Sequence, residues 1–359
     1  MKIALLNLPI DNNYGGNLQR YALMKVLQDM GHDVTHIYIK YISKLPWYKM
    51  PYSYSKRFIL RYFFRKNVHI NEESYRNRHD DDNLKSILLF YDKYIKHTKC
   101  CYSIHDVIRE TKGKFDAYVV GSDQVWRKGM TGQIDLKNYF FDFVREEAVK
   151  RFAYGVSLGV DVALLNRNEM RCLEGLYNKF DAVSVREISA LDIFCLYGWT
   201  HPKAALCLDP TLLLEEEDYV KLIVENNAEN ITEGRIFGYI LDKCEKTDKL
   251  LDYYKRALNK DVVEIGLDDT SKVPVTQWLN NIRLADIVVT DSYHGVVFSI
   301  LFRRPFVFVG NKRRGNARIE SLFKVLNIEK SNVEVRDFSS IEKCLIMLKT
   351  NSFAFLKNI

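Results

Sequence analysis

The chain has 359 residues, more than one ordinary domain, and a prior of about 150 residues per domain suggests two. Its 47% hydrophobic and 28% charged residues are those of a globular protein, which excludes a disordered chain, and no run reaches the roughly 18 uncharged apolar residues of a membrane-spanning helix. The formal charge of +7 is modest but uneven: eight Lys/Arg and no Asp/Glu lie from Lys40 to Lys66.

The opening residues Met1–Asn7 form too short an apolar run for a signal peptide. They precede Pro9 and Asp11 rather than a small-residue cleavage site, and they read as the start of a first strand. Ile3–Leu8, Asn17–Met30 and Asp33–Ile39 read as strand, helix, strand. The segment 41–66 breaks this alternation. Strands are then expected at Ala117–Val120, Arg151–Val156, Ala182–Val185 and Ala205–Leu208, and helices at Asn166–Asn178 and Ser189–Tyr197. The polar stretch Asn226–Gly234, with few apolar anchors, is the best linker. Beyond it strands Ile236–Ile240, Val262–Ile265, Ile287–Thr290 and Phe306–Val309 alternate with helices Asp248–Leu258, Val275–Arg283 and Gly295–Leu301. Such alternation implies parallel sheets with right-handed crossovers. The expected fold is α/β, with two Rossmann-like domains, 1–225 and 235–359, facing a cleft. Seven cysteines without a C-x-x-C pair or metal-ligand spacing suit a reduced, cytoplasmic chain, and no metal or cofactor is expected.

In open parallel sheets ligands bind at the carboxyl ends of strands, and three strand-end loops here are unusual. The first is Asn12-Asn13-Tyr14-Gly15-Gly16-Asn17-Leu18-Gln19. Its paired glycines let backbone approach a ligand, and the helix start that follows favours an anion; a plain turn and cap is the equal alternative. The second, Gly121-Ser122-Asp123-Gln124-Val125-Trp126-Arg127, puts a carboxylate and two hydrogen-bonding side chains where a sugar hydroxyl fits, with Trp126 available to stack on a pyranose. Structurally, Asp123 can instead cap a helix and Trp126 fill the core. The third is Thr290-Asp291-Ser292-Tyr293-His294-Gly295. A helix start disfavours the imidazolium of His294, a bound phosphate offsets that, and Gly295 leaves room for a ligand. Arg186, just past a strand, and Arg318 carry planar guanidinium groups suited to phosphate or carboxylate.

Taken in order, Asn13–Gln19, Asp116–Trp126, Tyr154–Gly159, Ser184–Ser189, Asp209–Leu213 and Ala285–Phe306 resemble the successive motifs of the polysaccharide pyruvyl transferase family. The resemblance covers nearly the whole chain and is most specific in Gly121–Trp126 and Thr290–Ser299. It implies a fold like that of GT-B glycosyltransferases, phosphoenolpyruvate as donor, and a saccharide hydroxyl pair as acceptor. The product would be a pyruvate ketal on a surface-polysaccharide intermediate such as a capsule or exopolysaccharide precursor. The family's donor-site histidine carries over to His294, and the arginine after the serine-valine strand to Arg186. In one departure, many members have Arg-Leu-His where this chain has Ser292-Tyr293-His294. Arg318 or Lys312–Arg314 is the expected substitute for that arginine.

On this reading His294 is the general acid, Asp123 the base or orienter for the acceptor, and Arg186, Arg318, Ser292 and Gly295 form the donor side. Asn13, Gly15, Gly16, Asn17, Gln19, Ser122, Gln124 and Trp126 form the acceptor side. Two rivals stand beside it: a GT-B-type glycosyltransferase using a nucleotide-sugar, and a catalytically silent saccharide- or lipid-binding component of an assembly complex. The acceptor is expected to be carrier-lipid-linked, and no nucleic-acid partner is expected. The aromatic residues among the basic ones of 41–66 suit peripheral contact with an anionic membrane surface, the alternative being a helix packed on the core.

Overall fold

The computed structural model describes residues 1–42, 45–132, 134–228, 235–269, 271–311, 316–329 and 334–359, apart from the side chain of Asp80. Strand β1 (Lys2–Leu6), helix α1 (Tyr14–Asp29) and strand β2 (Asp33–His36) form the expected first unit. The interrupting segment is helical. A 3-10 turn at Trp47–Lys49 leads into α2 (Met50–Tyr62), followed by α3 (Glu72–Asn83), α4 (Lys85–Tyr94) and α5 (Ile104–Thr111). Regular alternation then resumes with β3 (Ala117–Val120), β4 (Lys150–Val156), α6 (Arg167–Tyr177), β5 (Ala182–Val185), α7 (Ile188–Tyr197) and β6 (Ala205–Leu206). The six strands pair in parallel in the order β2-β1-β3-β4-β5-β6, with Ile3 opposite both Val34 and Ala117. All four residues of β3 are buried, the pattern of a parallel strand covered on both faces.

After α8 (Glu216–Glu225) the second alternation runs β7 (Arg235–Tyr239), α9 (Glu245–Leu258), β8 (Val262–Ile265), α10 (Val275–Arg283), β9 (Ala285–Thr290), α11 (Tyr293–Leu301), β10 (Phe306–Phe308), α12 (Ala317–Val325), β11 (Glu334–Val335) and α13 (Ser339–Leu356). Its sheet has the order β11-β10-β9-β7-β8, parallel except for the edge strand β11. The chain is thus α/β with two Rossmann-like sheets, the GT-B-like arrangement.

The two halves are locked together. Tyr14 at the start of α1 stacks on Trp278 of α10, ring centroids 5.2 Å apart, and its hydroxyl donates to the Val273 carbonyl at 2.8 Å. Helix α13 crosses back to the first half, where the Leu208 amide donates to Ser352 Oγ at 2.9 Å and the Tyr154 and Phe355 rings lie 6.0 Å apart.

Capping explains where the structure departs from the expected boundaries. Helix α1 begins at Tyr14 rather than Asn17 because the Asn13 side chain accepts from the amides of Gly15 and Gly16. Helix α11 begins at Tyr293 because Ser292 Oγ accepts from the Gly295 amide at 3.4 Å, so His294 sits inside the first turn. The acidic run Glu215–Asp218 opens α8 through a reciprocal Glu215–Asp218 cap, with its carboxylates at the favoured end of the helix dipole. Of the expected linker, 229–234 lie outside the described residues.

Candidate active site

Loops from the carboxyl ends of both sheets meet at one buried point. Arg186, one residue past β5, has a 1% exposed side chain. Its Nη1 donates to Asp209 Oδ2 at 2.7 Å and its Nη2 to Asp123 Oδ1 at 2.9 Å. Its Nε lies 3.7 Å from Glu187 Oε2. From the second half, Tyr293 places its ring 4.7 Å from the Arg186 guanidinium carbon and 5.7 Å from that of Arg318. Arg318 Nη1 lies 3.8 Å from Asp123 Oδ1, so both arginines face one carboxylate. Lone buried charges are costly, and these are tolerated because each guanidinium is met by carboxylates and a π face.

His294 is 2% exposed, its Nε2 lies 3.9 Å from Asp209 Oδ2, and that nitrogen has no hydrogen-bond partner among the described residues. Burial pushes its pKa down to about 4, with the opposing pull of Asp209 insufficient to offset it. The imidazole is therefore neutral at pH 7. Burial works most strongly against the charge of Asp123 and Asp209, yet the Arg186 guanidinium together with the other neighbouring charges and hydrogen bonds, those of Arg318 for Asp123 and Thr211 for Asp209 among them, holds both below the usual carboxylate range. Arg318 is shifted down by burial and then by the Arg186 charge. A buried, unpartnered imidazole nitrogen beside two guanidinium groups is a place for an anion that also exchanges a proton.

Asp123 has φ 83°, a left-handed backbone that costs a non-glycine residue roughly 1–3 kcal/mol and persists where its surroundings impose it. Hydrogen bonds from the amides of Ser157 and Val125 to its carbonyl, at 2.9 and 2.7 Å, do so here. The glycine of α1 that matters most is Gly15: a Cβ there would overlap the His294 ring. Gly295 is pressed against Thr290 in the same way, a contact within the second half rather than a space for ligand.

Sequence reasoning placed His294, Asp123, Arg186 and Arg318 together; in the structure both arginines meet Asp123, and His294 approaches the cluster through Asp209. Gly15 and Gly16 join them, Gly16 lying near the Asp123 carboxylate. Other expected site residues are used internally. Asn13 caps α1, Asn17 donates to the carbonyls of Asp11 and Asn13, and Gln19 donates to Asp209. Ser122 is fully buried beside Arg186, Gln124 accepts from Arg127, and Ser292 caps α11. Trp126 is a correction: it stacks on Phe140 at 4.2 Å, is packed among Tyr177, Phe180, Phe194 and Trp199, and donates to the Tyr139 carbonyl. No face is left for a sugar. The proposed substitute Lys312–Arg314 lies outside the described residues.

Three members of the cluster were not assigned roles from sequence: Asp209, Glu187 and Tyr293. Asp209 follows β6 as Asp-Pro-Thr, and Thr211 donates to its Oδ1 from both backbone and hydroxyl, freeing Oδ2 to face Arg186. Glu187 receives Ser157 Oγ and the amides of Leu158 and Gly159 on one oxygen. Its position next to Arg186 was the available signal.

Two Rossmann-like sheets with a charged cluster where they meet form a GT-B-like α/β protein. The chain belongs to the polysaccharide pyruvyl transferase family, whose model matches residues 13–313. No curated protein matches it. Among solved structures it is similar to a putative UDP-N-acetylglucosamine 2-epimerase from Listeria monocytogenes at 12% identity and TM-score 0.49, covering 98% of this chain and 89% of that one. It is similar also to UDP-GlcNAc 2-epimerase from Neisseria meningitidis bound to UDP-GlcNAc, at 10% and 0.46 with 98% and 94% covered. A third is the wall teichoic acid polymerase TagF, at 10% and 0.46 with 99% and 84% covered.

Proposed function

We propose that the protein transfers the enolpyruvyl skeleton of phosphoenolpyruvate onto a saccharide as a pyruvate ketal. The observation that carries this reading is the convergence of Arg186, Arg318 and the unpartnered His294 Nε2 at one buried point. The guanidinium groups suit the donor's phosphate and carboxylate, and their partners Asp123 and Asp209 keep them in place before donor arrives. Donor charge beside His294 raises its pKa from about 4, so the donor itself prepares the general acid.

The proton passes from His294 to the methylene carbon of the donor, and an acceptor hydroxyl, its proton taken up by Asp123, adds to the adjacent carbon. The C–O bond to phosphate breaks, inorganic phosphate leaves, and a second hydroxyl of the same sugar closes the ring and releases its proton. The scheme calls for no metal. Arg318, which faces Asp123 and the Tyr293 ring, is the proposed substitute for the guanidinium missing at Ser292.

The acceptor is proposed to be a carrier-lipid-linked saccharide met at the cytoplasmic face of the membrane. The helical insertion supports this, since Trp47, Tyr52, Phe63 and Phe64 lie on its exposed surface among basic residues. No helix among the described residues is long and apolar enough to cross a membrane, so contact would be peripheral. The test is incubation with phosphoenolpyruvate and a panel of lipid-linked galactosides, reading product mass. Gain of a pyruvate ketal with release of phosphate is expected. Transfer from a nucleotide-sugar instead, or no turnover with any acceptor, overturns the reading.

A further inference from the structure

The acceptor side expected from sequence is largely consumed by internal contacts, which leaves open where the rest of the saccharide rests. A cavity of about 490 Å³ opens between α7 of the first half and α12 of the second. That size lies within the usual range of small-molecule sites, at a junction of domains where such sites occur. Its walls start at the reactive cluster. Ile188 and Ser189 follow Arg186 and Glu187 on one side, Ala317 precedes Arg318 on the other, and the Ile188 amide donates to Ser321 Oγ at 2.7 Å to hold the walls together.

The lining chemistry is selective. Asp161, Asp192, Glu320 and Glu329 face Lys324 and Asn327, so carboxylates outnumber the cation four to one. An anion such as phosphoenolpyruvate is disfavoured there, whereas hydroxyl groups find acceptors and an ammonium donor. Ser189 Oγ is buried without a hydrogen-bond partner among the described residues, and Phe323 supplies an apolar wall for the C–H face of a ring. Asp161 and Asp192 make no ion pair among the described residues.

We propose that this cavity binds a neutral sugar ring of the acceptor, adjacent to the ring that receives the ketal. The inference rests on the pyruvyl transfer reading and adds a second subsite to it. Donor and acceptor are then sorted by charge: the anion goes to the arginines and the polyhydroxylated ring to the carboxylates.

The test uses the full chain and two separate probes. Neutral p-nitrophenyl glycosides of galactose, glucose, mannose and N-acetylglucosamine are examined by saturation-transfer NMR, and phosphoenolpyruvate by calorimetry. Asp192→Trp fills the cavity from an exposed helix position, and Asp161→Ala/Asp192→Ala removes hydroxyl acceptors; unchanged melting shows that both fold. At least one glycoside is expected to bind the wild type, with affinity weakened about tenfold or more in both variants while phosphoenolpyruvate affinity stays within about threefold. Equal glycoside binding in wild type and variants overturns the subsite, as does absence of glycoside binding to the wild type. Glycoside binding lost in the variants, with no phosphoenolpyruvate binding anywhere, upholds the subsite and overturns the donor reading.

Discussion

The hub around Arg186 and the insertion around α2 break the same rule in opposite directions. At the hub, Arg186, Asp209, Glu187 and His294 are buried charged or titratable groups. In the insertion, Trp47 is 81% and Phe63 76% exposed, and no residue of α2 is buried. Charge is tolerated inside only with partners, and the hub supplies them at 2.7–2.9 Å from Arg186 to two carboxylates. Aromatic surface outside has no such internal compensation, and exposed apolar patches are where other proteins carry interaction sites. Among the described residues the hub leaves a few buried polar atoms open, His294 Nε2, Arg186 Nε and Glu187 Oε2 among them, whereas the rings of the insertion face outward.

Breaking the hub should produce the largest effect. Arg186→Ala leaves Asp209 and Asp123 buried without their main counter-charge and is expected to cost about 3–5 kcal/mol of stability in urea unfolding, with turnover reduced at least about a hundredfold. Wild-type stability in that variant would mean the cluster is hydrated rather than closed.

The next effect comes from His294. Its folded pKa of about 4 lies below its ordinary 6.5, so at falling pH the unfolded chain takes up the proton first. Stability from this group is fully present above pH 6.5 and is lost as pH falls through about 4. Between pH 7.5 and 4 the wild type should lose about 3 kcal/mol more than His294→Gln, read from denaturant midpoints at each pH. If the donor raises this pKa, kcat should hold to a higher pH than kcat/KM; identical profiles would remove His294 from the acid role.

Gly15→Ala sharpens the comparison from the backbone side. The added methyl collides with the His294 ring, and forced repacking of this kind costs about 1–3 kcal/mol. Turnover should fall with it, since the ring moves from the arginines, and nuclear magnetic resonance of the histidine reports the displacement. A smaller change is expected from Arg318→Ala. It should raise the KM for phosphoenolpyruvate about tenfold with stability nearly unchanged, because its nearest carboxylate contact is 3.8 Å rather than a short bidentate pair.

How much of this was legible beforehand follows from what each signal measures. Strands β3, β5 and β8 and helix α10 lie where apolar periodicity put them, because buried parallel strands and amphipathic helices advertise themselves locally. His294, Asp123 and Arg186 were singled out because strand-end loops are where open α/β sheets gather chemistry. Asp209 escaped because its function depends on a partner 23 residues away, and Trp126 misled because a tryptophan in a polar motif looks the same whether it faces a ligand or the core. Helices α3, α4, α5, α8, α12 and α13 went unplaced; α3, Glu72–Asn83, is almost wholly polar and offers no apolar period. The orientation of α2 was the least readable, since an amphipathic pattern does not state which face is covered.

Structure settles that orientation, and with it the weakest expected effect on the fold. The inner side of α2, at Ser53, Tyr54, Arg57 and Leu60, is half-buried, and Arg57 holds Glu73 of α3 with hydrogen bonds of 2.8 and 2.9 Å. The outer side presents Tyr52, Ile59, Tyr62 and Phe63, with Lys49, Lys56, Arg61, Arg65 and Lys66 exposed around them. The core-packed alternative is thereby excluded for these rings. Aromatic side chains favour the bilayer interface, and each nearby Lys/Arg adds about 1 kcal/mol of attraction to an anionic leaflet. Replacing Trp47, Phe63 and Phe64 by serine should change folding stability by no more than about 0.5 kcal/mol, because these side chains are 81%, 76% and 66% exposed. The same replacement should abolish co-sedimentation with vesicles rich in anionic lipid at low salt, while binding of the wild type should weaken as salt rises. A wild type that stays in solution with such vesicles would redirect the insertion from a lipid surface to a protein partner, and a triple variant that unfolds would show that the rings were covered after all.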